Sequence, residues 1–395
     1  MEKNKENKIL NVPALRFPEF TGEWKEERLS KIAELSKGVG ISKEQLSEDG
    51  EPCILYGELY TKYKSEIIHK VISKTNIESS NLKRSKRNDV IIPCSGETAI
   101  DIAVARCVPF DNILLGGDLN IIRLHKDDGA FMAYQLNGKR KIDIAKLAQG
   151  VSVVHLYGEN IKAIKTYNPC LQEQQKIVKL LSMLDERLEV QNKIIEDLKK
   201  LKSAIADKLY SSAKGETYSF RQIFDVVNEK NKKLTYSNVL SASQELGMIE
   251  RSDINIDIKF EQNSISKYKI VRRGDYVVHL RSFQGGFAFS DRTGICSSAY
   301  TILRPNDMVV YGYLSYFFTS KPFIKSLKLV TYGIRDGRSI NVDEWLDMTV
   351  TLPTKQEQSH IIAIINAIDD KLNNENQIHT CLLQQRAFLL KVMLI

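Results

Sequence analysis

Apolar residues recur at alternating steps of four and three in two long stretches of this chain. In the first, Ile177, Leu181, Leu184, Leu188, Ile195 and Leu198 keep a heptad seam that Gln191 interrupts and that Ile205 and Leu209 resume. In the second, Ile361, Ile365, Ile368, Leu372, Leu382 and Leu389 follow the same rule. A period near 3.5 holds one stripe of a helix against a partner, so both stretches predict long paired helices. Roughly 40 residues rising about 1.5 Å each give a rod of about 60 Å, which is unstable until its stripe is covered. Val178, Leu180, Ile194 and Leu201 in one stretch, and Ile362, Ile364 and Ile378 in the other, widen the stripe beyond a two-helix seam. A second set of partners is implied.

The two stretches are copies of one another. Asn168–Tyr210 and Leu352–Leu394 superimpose without a gap at a separation of 184 residues. Pro169 matches Pro353, and Gln172-Glu173-Gln174 matches Gln356-Glu357-Gln358. Further along, Ile177, Asp185, Leu188, Asn192, Ile194 and Leu198 recur as Ile361, Asp369, Leu372, Asn376, Ile378 and Leu382. Proline suits a helix start because its missing N–H has no intrahelical partner there. Upstream the likeness thins to two traces: Arg87-Asn88-Asp89-Val90-Ile91-Ile92 resembles Arg273-Gly274-Asp275-Tyr276-Val277-Val278, and Asn120–Leu124 resembles Thr301–Pro305. Both pairs read as turn-then-strand segments. Glycines, β-branched runs and few long amphipathic stretches predict mixed domains rich in short strands before each helix. The expected layout is an N-terminal extension (1–24), a first mixed domain (25–167), a central helix (168–213), a second mixed domain (214–351) and a C-terminal helix (352–395).

Composition refines this picture modestly. With 395 residues, 43% hydrophobic and 27% charged, the chain is long enough for two cores and has the make-up of a globular protein. A formal charge of +8 and a pI near 8.9 favour a polyanionic partner. Cys53, Cys94, Cys107, Cys170, Cys296 and Cys381 lie far apart, without the paired spacing of a zinc site, and read as reduced thiols. The opening MEKNKENKIL lacks an apolar core of signal-peptide length, and runs such as IIAIINAI are too short to cross a bilayer. A cytoplasmic protein without a membrane segment is expected.

Catalytic chemistry is not legible. The pair Gly138-Lys139 lacks the upstream glycine and following Ser/Thr of a phosphate loop. Asn168-Pro169-Cys170-Leu171 departs from the Asn-Pro-Pro-aromatic motif of amino-methyltransferases at its third and fourth positions, and its repeat mate Leu352-Pro353-Thr354-Lys355 marks the proline as a helix-start feature. Asp89 and Glu97 could be imagined as nuclease carboxylates, but no lysine follows Glu97 at the expected offset and Asp275 has no matching acid. Cys94 and Ser95 have no identifiable base. No metal, cofactor or catalytic residue is expected.

Two unlike domains, each followed by a constant helix that starts with a proline and a Glu-Gln pair, resemble the Type I restriction-modification specificity subunit. The residues that carry the likeness are Pro169-Cys170-Leu171-Gln172-Glu173-Gln174 and Pro353-Thr354-Lys355-Gln356-Glu357-Gln358. Asn11–Phe20 followed by Trp24 also resembles the start of such subunits from Gram-positive bacteria. The resemblance implies an α+β protein with two mixed α/β target-recognition domains in pseudo-twofold repeat, separated by two long antiparallel coiled-coil helices. It further implies a non-catalytic subunit that reads a two-part site in double-stranded DNA, binds two methyltransferase subunits and joins ATP-dependent endonuclease subunits. Periodicity by itself also fits a non-catalytic coiled-coil scaffold that binds other proteins.

Within the domains, basic residues occur with aromatics in several expected loops; Lys83, Arg84, Lys86 and Arg87 form the densest cluster, ahead of a strand, with Arg272, Arg273 and Arg281 in the corresponding region of the second copy. These suit phosphate contacts that hold register. Val330–Ile340 is the most suggestive loop, since Tyr332, Arg335 and Arg338 stand among glycines that let a backbone approach a base edge. Its counterpart, Gln149–Asn160 with Ser152, His155 and Tyr157, is less basic. Helix pairing and partner docking are expected of Ile177, Leu181, Leu184, Leu188, Leu198, Ile361, Ile365, Ile368, Leu372 and Leu382.

Overall fold

The computed structural model describes residues 10–78, 80–243, 246–251, 262–279, 286–332 and 339–395. The chain forms two compact units, residues 1–192 with 377–395 and residues 193–376. Two long helices, Leu171–Ser212 and Lys355–Met393, each contribute to both. Among the described residues no helix is long and apolar enough to cross a membrane.

The first unit is built on a four-stranded antiparallel sheet in the order Ala33–Lys37, Leu119–Leu124, Asp89–Pro93, Arg106–Val108. Its central strand is the unbroken apolar run Val90-Ile91-Ile92, which suits a sheet covered on both faces. Val90, Ile92 and Ile122 enter one apolar cluster with Leu29, Ile102 and Met132; Ile91, Leu119 and Ile121 enter another with Ile54, Leu59 and Ile68. A second, five-stranded sheet includes Lys83–Arg84 at its edge, beside Leu114–Leu115. Lys83 and Arg84, read from sequence as loop residues ahead of a strand, are therefore strand residues themselves. The domain closes where Lys25–Arg28 pairs antiparallel with Lys165–Asn168.

The second unit repeats the main sheet in the same order: Phe224–Val227, Thr301–Pro305, Tyr276–Val278, Phe287–Phe289. Glu216–Ser219 pairs with Thr349–Leu352 as the matching closure. Its core is richer in aromatic residues than that of the first unit. Phe220 stacks on Trp345 at 4.2 Å between ring centroids and 12° between planes, with Phe224, Tyr276, Phe287, Phe318 and Phe323 around them.

The turn before the central strand is the same device in both units. Asn88 and Gly274 take left-handed backbones, φ 78° and 97°, which glycine adopts freely and asparagine tolerates. One residue on, the Asp89 carboxylate accepts the Lys86 N–H at 2.8 Å and the Arg123 guanidinium at 2.8 and 2.7 Å. Asp275 accepts the Arg272 N–H at 2.8 Å and Arg304 at 2.8 and 2.9 Å. The faint sequence trace thus marks a turn locked by a buried aspartate to an arginine on the neighbouring strand.

The helices pair antiparallel within each unit. In the first, Ile177 and Leu181 cluster with Met393 and Leu394, while Leu184 and Leu188 cluster with Leu382. In the second, Ala206 clusters with Ile361 and Ile365, and Lys202 meets Asp369. Ile177, Leu181, Leu184, Leu188, Ile361, Ile365, Leu372 and Leu382 are buried; Leu198 and Ile368 are half-buried. Ile194, Leu201 and Ile378 remain exposed.

Candidate functional site

The shared Gln-Glu-Gln motif has a structural task that its third residue performs. Gln174 sits in the first turn of its helix, where backbone groups lack helical partners. Its amide donates to the Pro169 carbonyl at 3.0 Å and to Asp127 Oδ1 at 2.7 Å, and its Oε1 accepts the Asp128 N–H at 2.8 Å. Gln358 repeats this on the Pro353 and Met308 carbonyls, both 3.0 Å, and the Val310 N–H at 2.8 Å. Each glutamine joins its helix start to the loop that leads into a domain helix, Gly129–Asn137 or Tyr313–Phe317.

The middle glutamates differ. Glu173 is 1% exposed and accepts Arg16 twice, each at 2.7 Å, and Trp24 Nε1 at 3.3 Å. Beside it the Lys176 ammonium lies 4.5 Å over the Phe17 ring, and the Leu15 N–H donates to the Val392 carbonyl at 2.9 Å. The N-terminal motif is therefore a strap across the start of one helix and the end of the other. Glu357 is exposed, with its backbone N–H on Thr354.

The expected DNA contacts fall into three groups. Lys86 and Arg87 are exposed on the Asp89 turn, and among the described residues their side chains form no ion pair. Arg272 and Arg273 occupy the same turn in the second unit; Arg272 meets Glu229 at 3.1 Å, and the Arg273 guanidinium lies 4.9 Å over Tyr311. Lys83 is half-buried, and Arg84, also half-buried, is bound to Glu51 at 2.7 Å and is less available. Tyr332 belongs to a short hairpin, Thr331–Tyr332 with Ser339–Ile340. Arg281, Arg335 and Arg338, and the side chain of Tyr332, lie outside the described residues.

The first unit carries a matching hairpin, in which Gln149 and His155 exchange backbone bonds of 2.9 and 2.7 Å. Val151 at its tip is 96% exposed, His155 and Tyr157 stack with centroids 6.3 Å apart, and Lys37 stands 5.9 Å from the Tyr157 ring. Sequence reasoning passed over Lys37, because its partner lies far along the chain. It also passed over a cleft of ≈ 580 Å³ in the first unit, where Lys64, His69 and Lys70 face Leu188, His379 and Leu383. The signal was the basic run Lys62–Lys70.

Among the described residues, the acids and thiols weighed for catalysis are held in other roles. Asp89 is committed to Arg123 and Asp275 to Arg304. Burial pushes the Cys53 and Cys94 thiols up to about 11 and those of Cys107 and Cys296 to about 12, so they stay protonated. Among the described residues no three His, Cys, Asp or Glu side chains are grouped to hold a metal.

Comparison with known proteins agrees with this architecture. The model of the Type I restriction modification DNA specificity domain matches residues 21–200 and again 215–383, one match per copy of the repeat. The Type I restriction enzyme MjaVIII specificity subunit of Methanocaldococcus jannaschii is 27% identical over 224 residues, 56% of this chain and 49% of that protein. The chain thus spans about half the length of this curated relative. The crystal structure of the S subunit of a Type I restriction-modification system from M. genitalium shares the fold, with a TM-score of 0.59 at 17% identity over 97% of this chain and 99% of that one. A structure from work on complex assembly and conformational transition of the type I R-M system gives a TM-score of 0.57 at 15% identity, covering 93% and 96%. With a double family match over most of its length and the same sheet, turn and helix start built twice, this chain belongs to the Type I restriction-modification DNA specificity family.

Proposed function

We propose that the chain is the non-catalytic, sequence-reading subunit of a Type I restriction-modification complex in the cytoplasm. The domains at 25–167 and 214–351 each read one half of a two-part site in double-stranded DNA. The observation that carries this is the duplication itself: two domains with one sheet order and one cation-bearing turn, but different cores and surfaces, each joined to an equivalent helix. Equivalent frames with unlike faces suit two half-sites presented alike to two identical methyltransferase subunits. Lys83, Arg84, Lys86, Arg87, Arg272, Arg273 and Arg281 are proposed to contact phosphates, and Tyr332, Arg335 and Arg338 base edges. Exposed apolar residues on the helices, including Met183, Val190, Leu201 and Phe388, offer docking faces for the methyltransferase subunits. ATP-dependent endonuclease subunits then join the larger assembly.

The test is to co-express the chain with its methyltransferase subunit, map methylated adenines in a host genome, and measure DNA binding by gel shift. One two-part methylated motif is expected, and the purified chain alone with S-adenosylmethionine should transfer no methyl group. Absence of sequence-dependent DNA binding, with and without the partner, would refute the reading and leave a protein-binding scaffold.

A further inference from the structure

Two three-residue clusters, one in each unit, are related by the repeat. In the first, the Tyr134 hydroxyl donates to Asp185 Oδ2 at 2.6 Å, and Arg386 Nε donates to Asp185 Oδ1 at 2.5 Å. In the second, the Tyr316 hydroxyl donates to Asp369 Oδ2, and Lys202 Nζ meets Asp369 Oδ1 at 2.5 Å. Asp185 and Asp369 are 184 residues apart, and so are Lys202 and Arg386. The helices exchange roles: aspartate from the central helix and cation from the C-terminal one in the first unit, the reverse in the second. The tyrosine comes each time from the domain helix that follows the main sheet's Arg123 or Arg304 strand. Every contact lies within its own unit.

These bonds differ in kind from the apolar contacts around them. The Tyr134 ring packs with Ile177 and Leu181, contacts that tolerate sliding because dispersion and burial are non-directional. A phenol bound to a carboxylate fixes both distance and angle. Burial first, and then the neighbouring aspartate, raises the pKa of both tyrosines, so each keeps its proton and remains the donor in its bond. The two latches are unequal. Arg386 also binds Glu66, which accepts Asn137 Nδ2 at 3.3 Å, so the first domain is held through two of its segments. Lys202 instead lies 4.4 Å over the Tyr316 ring.

We propose that Tyr134–Asp185–Arg386 and Tyr316–Asp369–Lys202 are positioning latches that set the angle of each recognition domain on its own stretch of helix, and thereby the half-site spacing the complex accepts. This rests on the two-part-target reading above. One added base pair displaces a half-site by about 3.4 Å and turns it by about a tenth of a helical turn. A domain free to rock on its helix follows that change; a latched one does not. The second domain, with the simpler latch, has the looser angle.

The experiment uses the full chain with its methyltransferase subunit on a DNA library whose half-sites are separated by spacers from two base pairs shorter to two longer than the natural one, read by methylation sequencing. Tyr316→Phe is expected to raise methylation at the one-base-pair-altered spacers, relative to the natural one, roughly tenfold, as loss of a charged hydrogen bond predicts. Tyr134→Phe raises it less, and half-site bases are unchanged in both. Tyr167→Phe removes a hydroxyl bound to Glu26 at 2.9 Å and to no latch residue, keeps the ring in its place beside the Tyr134 helix, and leaves the ratio as it was. Lys202→Met broadens spacing, whereas Lys202→Arg keeps it. Unaltered spacing in both tyrosine variants and Lys202→Met, or an equal rise in Tyr167→Phe, overturns the proposal. A wild-type complex with no two-part methylated site refutes the functional reading instead, before any variant is compared.

Discussion

Replacing Glu173 by alanine should cost far more than the same replacement at Glu357, although the two residues hold the same place in the same motif. Glu173 is 1% exposed and accepts three hydrogen bonds, two from Arg16 and one from Trp24. Removing one partner of a buried ion pair typically costs about 3–5 kcal/mol, because the other charge is stranded. Arg16 lies near the surface, where water can take over part of the bonding, so the low end, about 3 kcal/mol, applies. For a unit of this size that lowers the melting temperature by roughly 6–12 °C. Glu357 is exposed and its substitution should stay within about 0.5 kcal/mol. Differential scanning calorimetry on both variants measures the contrast. Arg16→Met with Glu173→Leu, which removes both charges, should recover part of the loss. Equal losses at Glu173 and Glu357 would show that the strap does not depend on this ion pair.

Other outcomes follow from the same structure. Gln358→Ala strands the Val310 N–H and the Met308 carbonyl and should cost about 2–4 kcal/mol by denaturant unfolding, whereas the exposed Gln356→Ala should be near neutral. Lys86→Ala with Arg87→Ala should weaken DNA binding across sequences and reduce the slope of log K against log salt by about 2, measured by titration at several ionic strengths. In native protein at pH 8 an alkylating reagent should modify Cys170 and Cys381, which are exposed, and spare Cys53, Cys94, Cys107 and Cys296 until unfolding, as read by mass spectrometry. Leu188→Pro breaks the buried seam and should abolish co-elution with the methyltransferase subunit on a sizing column.

What the sequence discloses depends on how local the physics is. Heptad spacing puts Leu181 and Leu188 on one face without knowledge of any partner, so the helices are legible. The Arg87-Asn88-Asp89 trace is legible as a turn, because left-handed backbone has a small residue vocabulary. That Asp89 is spent on Arg123 is not, since the strand carrying Arg123 is aligned only by sheet register. The latch on Asp185 draws on Tyr134 and Arg386, 51 and 201 residues away, which no periodicity connects. Lys83 and Arg84 look like loop cations because a two-residue edge strand has no alternation to reveal it. Glu173 and Glu357 are indistinguishable as letters; only the strap separates them.

The closures formed by Lys25–Arg28 with Lys165–Asn168, and by Glu216–Ser219 with Thr349–Leu352, bring the first and last strands of each domain side by side just before a helix begins. Everything that gives a domain its identity hangs between two adjacent backbone segments held by main-chain pairing, which makes few demands on side chains. A foreign insert that supplies the same pair of terminal strands meets an unchanged seam. An exchange at those two junctions would replace one domain as a cassette and keep the helix that follows it, so on the proposed function one half of the target would change in a single step.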